Sequence, residues 1–474
     1  MFNQPININQ KNFLLILYVV ILGVFGPAIY LISNSESQLP FIKKAANDSL
    51  QGRISLGDKI LVKAHNNSAK QMGTEAYGKG DYLAAQENFG MALKSDRNDP
   101  EARIYLNNAT AAKTKSPHQI GVSVPIGGDL GVAEEILRGV AQAQTEINSK
   151  GGIDGKLLMV KIANDDNNAE LGKEIANKFV ADNKLLAVIG HNSSNVSMAA
   201  APIYEEAGVV MITPTSSAET LSNMGNHIFR TVPNTRALAD SLADYALNTA
   251  RKTNIGVCLD SDAEASVSFK QNFTWAVYNY GGKIARLNCD FAAADFNGAN
   301  IPSQAISQGI DTLLLAPSVR KVDKAIEVVN ANDDRLTLLG NHSLNTYSTL
   351  KEGQNGVNGM VLSVAWYPQS NDSNFMQEAK ELWGGGVNWR TAMAYDATQT
   401  VSKAISTGAN RENLQQALTH PEFSADGAST DITFLPSGDR NLKGTLIKIQ
   451  PGENSGTGYD FVSLGGDRAS TTAK

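Results

Sequence analysis

The sequence predicts an α/β protein with two doubly wound, mostly parallel sheets. These form two α/β lobes, preceded by a transmembrane helix and a short all-α hairpin. Three observations carry this. Residues 13–32 form a run without charge. Residues 66–113 show a helical pattern with small residues at regular positions. From His118 onward, apolar strand-like runs alternate with helical segments, and the alternation occurs twice. At 474 residues the chain has room for two or three such parts.

The N-terminal run reads FLLILYVVILGVFGPAIYLI, Phe13 to Ile32. Its length suffices to span a bilayer as a helix. Gly23, Gly26 and Pro27 are tolerated in such a helix. A polar stub with one cation, Lys11, precedes it, and no Ala-x-Ala cleavage site follows. Residues 1–33 therefore read as a stub and an uncleaved signal anchor. This places a single pass in the cell membrane; Lys43, Lys44 and Arg53 on its far side leave charge a weak guide to orientation, and the bulk of the chain is expected on the extracytoplasmic side from the α/β region that follows. Residues 34–65 are polar with short apolar pieces and read as a linker.

Residues 66–113 come next. Gly73 and Ala85 are small enough to let two antiparallel helices approach closely, and Phe89 fills the space between them. This spacing resembles a tetratricopeptide repeat. It departs at Ala69, where the pattern has a large aromatic, and at Pro100, which comes late. One full repeat is visible, followed by a helix over 101–112. A lone repeat cannot bury its own face, so it is expected to pack on a neighbour or on a second copy.

The α/β region follows. Strand-like runs lie at 120–124, 157–162, 185–189 and 209–212, with helical segments near 132–149, 168–183 and 195–207. Val132, Ile136, Val140, Ala143 and Ile147 form one apolar stripe, as an amphipathic helix requires. A second set has strands at 255–259, 284–287, 313–316 and 336–339, with helices near 264–280 and 319–331. Such alternation implies parallel sheets covered on both faces. The chain beyond 358 supplies a strand, two or three helices and a final strand pair. The expected domain is 118–450, with lobe 1 at about 118–232 and 365–424 and lobe 2 at about 235–360 and 428–450. Residues 451–474 read as a flexible tail.

Net charge is −6, which gives no sign of a nucleic-acid partner. Two cysteines, Cys258 and Cys289, have no metal-binding spacing. They read as two buried thiols on neighbouring strands, with a disulfide between them left open. No metal or cofactor is expected.

The most informative stretch is GHNSSNVSMAAAPIYEEAGVVMITPTSSAETLS, residues 190–222. Two consecutive strand ends run into hydroxyl clusters: Ser193 and Ser194, then Thr213, Thr215, Ser216 and Ser217. In open α/β sheets, ligands bind outside the carboxyl ends of the strands. Helix N-termini there present free N–H groups and a partial positive charge, which favour an anionic group. One cap residue per helix would suffice for capping. Two clusters point instead to a small anion such as a carboxylate held between the exits.

From these segments, residues 118 to about 450 resemble the type I periplasmic substrate-binding proteins, in their Leu/Ile/Val-binding branch. The resemblance rests on GVAQAQTEINSKGGIDGKLLMVKIANDDNN, VIGHNSS, MITPTSSAETL, IFRTVPN, LLGNHS, GMVLSV and AMAYDATQTVSKAI. It implies that the two lobes are joined by three crossovers around a cleft that closes on a ligand, with crossings near Arg230–Asn234, Val361–Val364 and Ala425–Thr430. It implies a ligand carboxylate on Ser194, and carboxylate and ammonium contacts from Thr215 and Ser217. Asn192, Ser193 and Ser216 are cleft neighbours. An aromatic of the family is replaced near Val132, and a lobe 2 tyrosine near Glu264. The family's ammonium-binding acid aligns with His342. A neutral His is a poor partner for an ammonium ion, so Glu264 or Asp262 is expected to compensate.

The resemblance implies a solute-binding component of an ABC importer, taking an amino acid or amide-like ligand and presenting it to an ABC permease. An alternative is a membrane-tethered sensor or scaffold signalling to a protein partner of the tetratricopeptide-like segment. An enzyme is not expected. Ser193 lies near His191, but no Gly-x-Ser-x-Gly elbow is present, and no acid is evident in the sequence to orient the His.

Overall fold

Each lobe is built on one sheet whose central strands are apolar and buried on both faces. The structure is a computed structural model that describes residues 50–368 and 374–464. The chain divides into Met1–Arg53 and Ile54–Lys474. Only residues 50–53 of the first part are described, so the anchor assigned to 13–32 lies outside the described residues. Among the described residues, no helix is long and apolar enough to cross a membrane.

The first sheet runs in the order β1-β3-β2-β4-β5-β6. Its strands are β1 Ile54–Ser55, β2 His118–Val124, β3 Leu158–Asn164, β4 Leu185–Ile189, β5 Val210–Thr213 and β6 Ile228–Arg230. The second runs β13-β12-β11-β10-β9-β7-β8. Its strands are β7 Asn254–Leu259, β8 Lys283–Ile284, β9 Thr312–Ala316, β10 Thr337–Gly340, β11 Val361–Val364, β12 Thr445–Pro451 and β13 Tyr459–Ser463.

Both sheets are mostly parallel, as expected, and antiparallel only toward one edge of each. β1 pairs antiparallel with β3 at one edge. β12 pairs antiparallel with β11 and with β13 at an edge of the other sheet. Two boundaries change accordingly. The stretch assigned as linker, 34–65, enters the first sheet from Ile54, and Val62 is fully buried. The stretch assigned as a flexible tail, 451–474, contains β13, held by main-chain pairing to β12.

The helices are α1 Ser68–Gly78, α2 Tyr82–Ser95, α3 Pro100–Ala112, α4 Leu130–Ser149, α5 Ala169–Val180, α6 Ser194–Glu206 and α7 Thr235–Asp244. They continue as α8 Glu264–Asn279, α9 Ile301–Ser307, α10 Val322–Asn332, α11 Tyr347–Gly353, α12 Asn374–Trp383, α13 Trp389–Ile405 and α14 Arg411–Thr419. Helices α1 to α3 form the N-terminal helical segment. A Cβ on Gly73 would lie 2.7 Å from the Phe89 ring, so glycine is what lets α1 and α2 close on each other. The segment's neighbour is lobe 1. Asn108 of α3 donates to Val160 O of β3 (2.7 Å) and accepts from Val160 N (2.9 Å). His65 lies between Asp96 (2.6 Å) and Glu134 of α4 (3.0 Å). Glu134 first, and Asp96 after it, raise its pKa to about 9 against the opposing effect of burial.

After β6 the chain leaves lobe 1 through 231–234 and enters α7. After β11 it returns, and α13 packs along α4 in lobe 1. A Cβ on Gly139 of α4 would lie 2.1 Å from Thr391 O, so the two helices meet backbone to backbone. The last passage, 425–444, is fixed by short bridges between Ala425 and Ile432 and between Phe434 and Arg440. Arg440 is ion-paired with Asp396 of α13 at 2.9 Å, both buried. Arg230 at the end of β6 is paired with Asp439 at 2.6 Å.

Cys258 and Cys289 are joined as a disulfide, which corrects the reading as two thiols. Leu259 N donates to Cys289 O (3.1 Å), and this pairing beside β7 brings the sulfurs together. The bond closes a stretch that sequence alone leaves open, since β8 is short and the chain returns to β7 only at 289–290. Structural disulfides persist in oxidising compartments.

Candidate ligand-binding site

Between the lobes lies a cavity of about 460 Å³. Lobe 1 supplies Val132, Asn167, Asn192, Ser193, Ser194, Asn195, Thr215, Trp389 and Arg390 to its wall. The opposite wall comes from the exits of β7, β9 and β10, with Asp260, Asp262, Arg320, Lys321 and His342 among its polar residues. Both walls therefore stand at the carboxyl ends of parallel strands, where helix N-termini gather.

Helix α6 starts at this cavity because Ser193 caps it. Ser193 is extended, and its side chain accepts from Val196 N at 3.4 Å. Ser194, the first helical residue, is 3 % exposed. Its Oγ accepts from Ala218 N (3.2 Å), which leaves its own O–H available as a donor. The first N–H groups of α6 and this hydroxyl together form a positive, donor-rich corner.

The other hydroxyls divide their work. Thr213 Oγ1 and Ser216 Oγ donate to His191 O (2.7 and 3.1 Å). Thr215 Oγ1 donates to Asn192 O (2.9 Å), and Ser197 Oγ lies 2.7 Å from Ser216 Oγ. These bonds tie the exit of β5 to the exit of β4. The second cluster is thus largely a set of internal cross-links that hold the α6 corner in place. Asn192, Ser193, Ser194, Thr215 and His342 line the cavity. Ser216 and Ser217 are buried behind it; Ser217 Oγ is 3.5 Å from His342 Nε2. Glu264 does not join the lining. Its backbone N–H donates to Asn195 Oδ1 (3.0 Å) at the cavity edge, beside Asp262, Ala263 and Ala265, which do line it.

His342 is 5 % exposed, so it is a buried imidazole and not a surface one. Burial first, and Arg390 second, lower its pKa to about 3, and it is neutral at physiological pH. Its ring meets Trp389 edge to face, with centroids 5.2 Å apart. Arg390 lies over Trp389 at 4.5 Å and pairs with Glu135 at 3.2 Å.

His191 does have an orienting acid, contrary to the sequence expectation. Asp165 Oδ2 is 2.7 Å from Nδ1, and Tyr204 OH is 3.2 Å from Nε2. All three side chains are fully buried, so the imidazole is a core group with both ring nitrogens partnered. Asp165 follows β3 and precedes His191 by 26 residues, and the two meet only because β3 and β4 flank β2 in the sheet.

Sequence reasoning missed Asp260, Trp389 and Arg390. Asp260 directly follows β7, so the strand-exit rule applied to 190–217 would have found it. Asn388 caps α13 through a bond from Arg390 N (2.9 Å), and this cap marks Trp389 and Arg390 as the first side chains of a helix. The lobes also touch directly. Asn195 Nδ2 donates to Asp262 O (3.1 Å), and Arg320 donates to Asp166 O (2.9 Å) and Asn167 O (3.0 Å).

Residues 117–446 match the family of periplasmic binding proteins. The Leu/Ile/Val-binding protein BraC3 of Rhizobium johnstonii is 24 % identical over 327 residues, covering 67 % of this chain and 87 % of that one. The leucine-specific-binding protein of Salmonella typhimurium is 24 % identical over 360 residues, covering 71 % and 88 %. The leucine-binding protein LivK of Thermotoga maritima shares the fold with a TM-score of 0.65 at 21 % identity, over 73 % of this chain and 97 % of that one. The match covers well over half of the sequence, and the relatives are binding proteins and not enzymes. The chain belongs to the periplasmic binding protein family.

Proposed function

We propose that the protein binds a small amino acid or amide-like ligand between its lobes, as the extracytoplasmic solute-binding component of an ABC importer. One observation carries the reading: the α6 N-terminus, with Ser194 Oγ beside it, opens into the cavity between the lobes. A ligand carboxylate there meets backbone N–H groups and a hydroxyl in a partly dry site, where charge-assisted hydrogen bonds are strong. Asn192, Ser193 and Thr215 complete this wall. Ser217 acts from behind it by holding His342, and Glu264 acts at the lobe edge through its backbone. The relatives' names, a Leu/Ile/Val-binding protein and a leucine-specific-binding protein, support an amino acid as the ligand class. The disulfide supports an oxidising location. The uncharged run 13–32 would anchor the chain in the cell membrane beside a permease.

A sensing role is a second reading, favoured by the docking of the helical segment on lobe 1 through Asn108 and His65. In that reading, lobe movement would reach a partner of the tetratricopeptide-like helices.

Calorimetric titration of the full-length chain in detergent, over the common amino acids, their amides and urea, tests the proposal. Saturable heat from at least one amino acid or amide at or below millimolar concentration is expected. No heat from any of them at that concentration contradicts it.

A further inference from the structure

Part of the cavity wall holds polar groups that the carboxylate site does not use. Trp389 is 1 % exposed and lines the cavity, and its Nε1 has no hydrogen-bond partner among the described residues. His342 is equally enclosed, and its Nδ1 also has none. Buried polar atoms without partners are rare in native proteins, and two on neighbouring rings, one from each wall of the cavity, point to a ligand group that completes them.

The character of these groups sets what they accept. Indole Nε1–H and the Arg390 guanidinium are donors only. Arg390 spends Nη1 on Glu135 Oε2 (3.2 Å) and Asn345 O (3.3 Å), which fixes the guanidinium against the Trp389 face. His342 is neutral. Its Nε2 lies 3.5 Å from Ser217 Oγ, and its Nδ1, without a partner among the described residues, donates or accepts according to the tautomer. The arrangement is a corner of two donor groups, the indole N–H and the guanidinium, beside an imidazole nitrogen that has no partner among the described residues. An aliphatic side chain placed there would leave the indole N–H and the imidazole Nδ1 desolvated and unpaired, which disfavours it.

We propose that Trp389, Arg390 and His342 form an acceptor subsite, taking the carboxylate or carboxamide oxygen at the far end of the ligand, so that the protein selects acidic amino acids and their amides over branched-chain ones. This rests on the reading that an amino acid occupies the cavity. Val132, Ala263, Ala265 and Val319 are apolar residues of the same lining, against which a methylene stem can rest.

The test titrates the full-length chain with L-glutamate, L-aspartate, L-glutamine, L-asparagine, L-leucine and L-valine. The best of the first four is expected to bind at least about tenfold more tightly than leucine or valine. Trp389→Phe keeps the ring and removes only the N–H; it should narrow this gap by about tenfold, by weakening the polar ligands and relieving the unpaired N–H under leucine and valine. Arg390→Gln should narrow it as well, with thermal melts confirming that both variants fold. Leucine or valine binding as tightly as the polar set overturns the subsite and leaves the amino-acid reading standing. An unchanged preference in both variants also overturns it. Absence of binding by all six, together with failure of the wider panel above, overturns the amino-acid reading and the subsite with it.

Discussion

Lys70→Met is expected to destabilise the folded chain by about 3–5 kcal/mol. Lys70 Nζ lies 2.6 Å from Asp99 Oδ2 and 2.8 Å from Glu101 Oε2, and all three side chains are essentially without solvent exposure. Burial acts to strip the lysine of its proton; Glu101 and Asp99 more than offset this and hold its pKa above the usual value. The variant removes the cation but not the reason the acids are there. Glu101 Oε1 accepts from Leu61 N (2.7 Å) and Tyr105 OH (2.9 Å), and Asp99 caps α3 by accepting from Ala102 N (3.0 Å). Two carboxylates would remain buried next to each other, and their protonation would be the only relief. Thermal and urea melts of the full chain, with exposed Lys79→Met as the control, check this. The control should change stability by less than about 0.5 kcal/mol. Equal effects of the two substitutions would show that the buried triad does not hold the helical segment in place.

Asp439→Ala is expected to cost a similar amount, about 3–5 kcal/mol, and to weaken ligand binding as well. The Arg230–Asp439 pair is 2 % and 5 % exposed. Asp439 also accepts from Asn234 Nδ2 (2.9 Å) and Ser222 Oγ (2.9 Å). Arg230 donates to Ala218 O (2.7 Å) and Ser222 Oγ (2.7 Å). One carboxylate thus joins the end of β6, the passage at 231–234, the last passage near 439 and the 218–222 turn. That turn carries Ala218 N, which is bonded to Ser194 Oγ. Losing Asp439 leaves a buried arginine unpaired and loosens the support of the carboxylate corner. Asp439→Asn keeps acceptor and donor atoms in place and should lose less of both. Melts and titrations of the two variants decide it. Full stability and affinity in Asp439→Ala would remove the pair from the account.

The lobes were legible because their strands are apolar runs such as Leu185–Ile189 and Thr312–Ala316, buried on both faces, and a parallel sheet leaves that trace in sequence. The edges were not. β1 is two residues long, and β13 falls in the stretch assigned as a flexible tail, so each is held as a strand by its partner. The disulfide depends on a return of the chain to β7 that no local pattern signals. At the site, residue type found the wall but not the direction of each side chain. Ser216 and Thr213 have the same chemistry as Ser194, yet they point at backbone carbonyls of 191. Glu264 lies one residue from lining positions and contributes a backbone N–H instead of its acid. Trp389 and Arg390 come from a helix that returns from the other lobe, and their place beside His342 is a product of topology alone.

The central claim is that the α6 N-terminus and Ser194 hold a ligand carboxylate. Its most direct test is a titration of the full-length chain with the amino acid that binds best, beside the amine that the same molecule becomes on decarboxylation. The protein is unchanged between the two, so folding does not enter. The account predicts that the amine binds at least about a hundredfold more weakly, the equivalent of one or two lost charge-assisted hydrogen bonds. Equal affinity for acid and amine would contradict it.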